Sequence, residues 1–105
     1  MALPTTNLKV TATDNELYIV AIPSAGNGSF EICHFKSGYN AAVNYNVNPA
    51  HILPKGDYTL TMIGINWGGS QAFSVTLTGP NPGPFVAPAG TTVGCVWCKN
   101  VAITV

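Results

Sequence analysis

The chain has 105 residues, 47% of them apolar and only 8% charged, with a formal net charge of zero. That length fits one domain spanning 1–105. Low charge with high hydrophobicity excludes disorder. Nucleic-acid binding is excluded because arginine is absent and Lys9, Lys36, Lys55 and Lys99 are too few and scattered to neutralise phosphates.

In chain order, Leu8, Val10 and Ala12 alternate with Lys9, Thr11 and Thr13, which predicts a half-buried strand over 7–13. Asp14-Asn15 suits a two-residue hairpin turn into a second strand over 16–22. There Leu17 to Ile22 is apolar at every position, as in a strand covered on both faces. This run is also the longest apolar stretch, far short of the roughly 20 residues of a membrane span. Gly26-Asn27-Gly28 leads to a strand over 29–35, and Ser37-Gly38 to one over 41–48. In the latter, Val43, Tyr45 and Val47 alternate with Asn44, Asn46 and Asn48.

A long connection over 48–56, containing His51, precedes a strand over 57–67 in which the apolar phase changes. Tyr58, Leu60 and Met62 share one face, and Ile63, Ile65 and Trp67 the other. Either a one-residue bulge or a bent strand serving both sheets accounts for that. Gly68-Gly69-Ser70 turns into a strand over 71–78. The connection over 79–90 opens with Gly79-Pro80-Asn81-Pro82-Gly83-Pro84, too proline-rich to pair. Two strands follow over 91–98 and 100–105, parted by a weak turn at Lys99-Asn100. These eight strands predict an all-β, antiparallel two-sheet β-sandwich of jelly-roll or immunoglobulin-like kind. The chain is expected to cross between sheets twice, with little or no helix.

Chemistry-bearing motifs are sparse. Cys95-Val96-Trp97-Cys98 has redox spacing, but it falls in a predicted strand, where the two thiols point to opposite faces. A Cys₃His zinc site with Cys33 and His34 meets the same objection. The plainer readings are three small buried residues, or one disulfide from Cys33 to Cys95 or Cys98. No metal or cofactor is expected. Asp14, Glu16, Glu31 and Asp57 are the only carboxylates, and no nucleophile elbow accompanies His51 and Ser70, so no enzymatic activity is expected. Residues 1–10 show no signal peptide, which suits a cytoplasmic or non-classically secreted protein.

Neutral amides and aromatics remain. The chain has ten asparagines, whose uncharged donors and acceptors match sugar hydroxyls, while aromatic rings stack on sugar faces. Tyr39-Asn40 and Asn66-Trp67 place an amide beside an aromatic at a loop. The expected function is a carbohydrate-binding, lectin-like protein that takes a glycan ligand through Tyr39, Asn40, Asn66 and Trp67 and gains avidity as a homo-oligomer. The alternative is a self-assembling structural subunit, a coat or filament component, pairing through uncharged sheet edges.

Overall fold

The period-two pattern becomes eight antiparallel strands in the computed structural model, which describes residues 3–26, 28–36 and 43–105. They are β1 (Asn7–Asp14), β2 (Glu16–Pro23), β3 (Phe30–Lys36), β4 (Tyr45–Val47), β5 (Asp57–Asn66), β6 (Ala72–Thr78), β7 (Phe85–Val86) and β8 (Gly94–Thr104). A first sheet has the order β4-β1-β6-β7 and a second the order β3-β2-β5-β8, as expected of a sandwich. Among the described residues helix is confined to a 3₁₀ turn, Pro49–His51, capped by Asn48, whose side-chain oxygen accepts from the Ala50 N–H at 3.0 Å. Among the described residues no helix is long and apolar enough to cross a membrane.

The core forms where the inward faces of the two sheets meet. Leu8, Val10, Leu17, Ile19, Leu60, Met62, Phe73 and Val75 are almost wholly buried there. Each such side chain contributes about 1.5–3 kcal/mol on leaving water, so this layer drives folding. Two of its members set up the functional end of β5. Phe73 and Trp97 stack with centroids 5.9 Å apart and planes at 17°. Gly64 lies against Phe73, where a Cβ would come within 2.9 Å of the ring, so this inward slot on β5 admits no side chain.

The structure departs from the sequence reading in several places, each for a topological reason. Asp14-Asn15 is not a hairpin turn, because β1 and β2 lie in different sheets. The Asn15 N–H donates to the Ile65 carbonyl at 3.2 Å, already in the second sheet. The chain changes sheet in five of its seven inter-strand connections, not two. Strand β2 is covered on one face only. Leu17, Ile19 and Ala21 point inward, while Tyr18 and Val20 are half-buried and Ile22 is exposed on the outer face.

In β5 neither expected cause of the phase change is present. Its register with β2 is unbroken from Glu16↔Ile65 to Pro23↔Tyr58. Burial simply continues to alternate, with Gly64 and Asn66 in the inward slots. The bulge lies on β8 instead. Gly64 pairs with Trp97 and Ile65 with Cys95, leaving Val96 as the extra residue. Lys99-Asn100 is no turn, since β8 runs through it, and Phe85–Val86 within the long connection does pair, with β6.

Candidate functional site

Strand alternation and register together assemble a polar aromatic corner on the outer face of the second sheet. Along β2, Leu17 and Ile19 go to the core, so Glu16 and Tyr18 face outward. Across β3 their partners are Lys36 and His34, and across β5 they are Ile65 and Ile63. Trp67, just past β5, follows Ile65 on that face and is 41% exposed.

Glu16 organises the cluster. Its Oε2 accepts from His34 Nε2 at 2.7 Å and from the Tyr18 hydroxyl at 3.1 Å, and its Oε1 accepts from Trp67 Nε1 at 3.2 Å. The Tyr18 and His34 rings stack at 3.8 Å with planes 13° apart. Lys36 Nζ sits 6.0 Å from the Trp67 ring centroid, within cation–π range. The bond from His34 is the largest cause lowering the Glu16 pKa from its ordinary 4.5, followed by that from the Trp67 indole. Glu16 is therefore a carboxylate at neutral pH. The same contact, seen from Tyr18, raises the phenol above its ordinary 10.0, because the phenolic proton is held by the carboxylate. With an acceptor-only carboxylate on Nε2, a neutral His34 presents Nδ1 as an acceptor. The corner thus offers an indole, a stacked ring pair, a carboxylate and an ammonium within one patch.

Of the four residues expected to bind ligand, the two that are described, Asn66 and Trp67, take opposite faces. Trp67 is at the corner. Asn66, its neighbour, is fully buried on the opposite face. Its Nδ2 donates to the Gly69 carbonyl at 2.9 Å and to the Thr92 carbonyl at 3.0 Å, and its Oδ1 accepts from the Gly68 N–H at 3.3 Å. Those bonds commit both amide hydrogens, so Asn66 clamps the turn and has no donor left for a hydroxyl. Gly69, at φ +70, supplies the left-handed backbone that the turn needs. Trp67 is fixed from its backbone, its N–H donating to Asn15 Oδ1 at 2.7 Å. Tyr39 and Asn40 lie outside the described residues.

Glu16, Tyr18, His34 and Lys36 are the members that sequence reasoning missed. The asparagine row on β4 is largely engaged with itself and its surroundings. Asn7 Nδ2 donates to Asn46 Oδ1 at 3.0 Å, Asn46 Nδ2 to Asn44 Oδ1 at 3.4 Å, and Asn48 caps the 3₁₀ turn.

The cysteines also differ from expectation. All three are free thiols, and only Cys33 is largely shielded. Burial, with help from Glu31, pushes its pKa up to about 12, so it stays a protonated, unreactive thiol. Cys95 and Cys98 are exposed. Because Val96 is bulged out, they pair with Ile65 and Ile63 and share the outer face, instead of facing opposite ways. Among the described residues no group of three or more His, Cys, Asp or Glu is placed to hold a metal ion.

Four surface concavities among the described residues are lined by none of the corner's side chains. One of about 460 Å³ is bordered by Pro23, Phe30, Pro54 and Tyr58, at the opposite end of β2 and β5. Lys55 and Asp57 also line it, and its Phe30 and Tyr58 rings pack edge to face with centroids 6.3 Å apart. Comparison with known protein families, with curated proteins and with solved structures finds no match for this chain.

Proposed function

We infer that the protein is a non-enzymatic carbohydrate-binding protein whose site is the corner formed by Glu16, Tyr18, His34, Lys36 and Trp67. The observation that carries this reading is the exposed Trp67 indole, held by its own N–H to Glu16 on the outer side of the second sheet. A sugar ring presents an apolar face to an indole and hydroxyls around its rim. The rim groups meet a carboxylate, an imidazole and an ammonium here, each on a strand. Low charge elsewhere on the chain limits competing electrostatic attraction.

The test is a glycan-array screen of the wild-type protein, with hits confirmed by titration calorimetry. The expected result is a set of related glycans bound in the micromolar to millimolar range. An array without hits, or hits whose affinity is unaffected by changing Trp67, would contradict the proposal.

A further inference from the structure

The second sheet has two edges, and the first sheet two more. They are guarded very unequally. Strands β4 and β7 are three and two residues long, too short to template another chain. Strand β3 is interrupted by a register shift beside Ile32 and carries Glu31, His34 and Lys36. Strand β8 is the longest, at 11 residues, and after its bulge runs from Cys98 to Thr104 with Lys99 as its single charge. Nothing in that stretch is a proline, a bulge or a row of charges, the devices by which edges are usually blunted.

The hydrogen-bond pattern states which groups are open. Val105 exchanges both of its backbone bonds with Gly56, at 2.8 and 3.0 Å, on the β5 side. Strand parity then turns Trp97, Lys99, Val101 and Ile103 toward β5, and Cys98, Asn100, Ala102 and Thr104 toward the outer edge. Thr104 is already used there, its carbonyl accepting from the Thr5 N–H at 2.9 Å. From Cys98 to Ala102 that leaves the N–H and C=O of Cys98, Asn100 and Ala102, with no backbone partner among the described residues.

We propose that this edge binds the same edge of a second copy of the chain, antiparallel, about a two-fold axis at Asn100. This register leaves none of those edge groups unmatched. Asn100 exchanges both bonds with the partner subunit's Asn100, Cys98 with the partner subunit's Ala102, and Ala102 with the partner subunit's Cys98. Centring on Lys99 instead would oppose two ammonium groups, and in the Asn100 register the pairing ends at Ala102, because Thr5 already holds the Thr104 carbonyl. On the outer face the Asn100 side chain, whose Oδ1 accepts from the Thr61 hydroxyl at 2.8 Å, has its amide hydrogens available to cross the axis. Two second sheets join into one continuous eight-stranded sheet ending in the guarded β3 on both sides, so assembly closes at a dimer. The two Glu16–Trp67 corners then lie on the same extended sheet, though the pairing itself does not depend on any glycan.

Light scattering coupled to size exclusion, across a hundredfold concentration range, reads the mass. Wild type is expected to reach twice the mass of one chain. Ala102→Pro removes an edge donor while sparing the β5 ladder, a place where proline is tolerated, and is expected to give monomer with an unchanged far-UV spectrum. Asn100→Lys and Asn100→Asp each oppose like charges across the axis and are expected to be monomeric alone. Mixing them is expected to restore a dimer, a rescue that a folding defect cannot produce. A wild type that stays monomeric, grows open-ended polymer, or dimerises undiminished with Ala102→Pro would overturn the proposal.

Discussion

Two regions share the last residues of β5 and put them to different uses. Below the sheet, Gly64 and Asn66 face the core, where Gly64 admits the Phe73 ring and Asn66 ties Gly68, Gly69 and Thr92 together. Above it, Ile65 and Trp67 face water beside Glu16, Tyr18 and His34. The polar groups below are saturated by backbone, so they fix shape. Those above are linked to one another at a surface, so they remain open to exchange with a ligand. Adjacent residues therefore belong to different parts of the account, one structural and one functional, because strand alternation separates them by a full sheet thickness.

The largest effect that sharpens this contrast comes from below. Asn66→Ala removes a fully buried amide and its three hydrogen bonds to Gly68, Gly69 and Thr92, which costs about 1–3 kcal/mol. In a domain of this size that corresponds to a fall in melting temperature of roughly 5–20 °C, measured by calorimetry. A variant melting like wild type would mean that Asn66 is not the clamp of the turn.

Strand positions were largely legible because alternation at Leu8–Ala12 or Phe73–Leu77 is a local signal. The pairing of strands was not. Asp14-Asn15 has hairpin composition, yet the chain crosses to the other sheet there, and no local residue announces a crossing. Glu16 and His34 are 18 residues apart, and Glu16 and Trp67 are 51 apart. Only the β3-β2-β5 order unites them. Trp67 was legible as an aromatic beside glycines, whereas Asn66 shared its sequence context and received the opposite orientation. The bulge at Val96 likewise leaves no mark in Cys95-Val96-Trp97-Cys98, although it decides which face both thiols take.

A smaller effect comes from the corner itself. Folding lowers the Glu16 pKa, so the ionised form is favoured in the native state. Its contribution to stability is present above the ordinary value of 4.5 and is lost as pH falls through the lower folded value. Comparing wild type with Glu16→Gln by thermal melting, the wild-type advantage at pH 7 is expected to shrink as pH is lowered toward 3. An advantage independent of pH would mean that the carboxylate charge is not what the His34 and Trp67 contacts hold.

The most direct measurement is Trp67→Ala, with melting temperature and glycan titration read on the same preparation. Removing an indole that is 41% exposed and held by one side-chain hydrogen bond to Glu16 and by the Lys36 contact is expected to cost about 1–2 kcal/mol of stability. Loss of its stacking surface is expected to weaken the wild-type protein's best glycan about tenfold or more, 1.4 kcal/mol being one decade. A variant that unfolds, or that melts normally and binds the glycan as well as wild type, would contradict the assignment of this corner as the binding site.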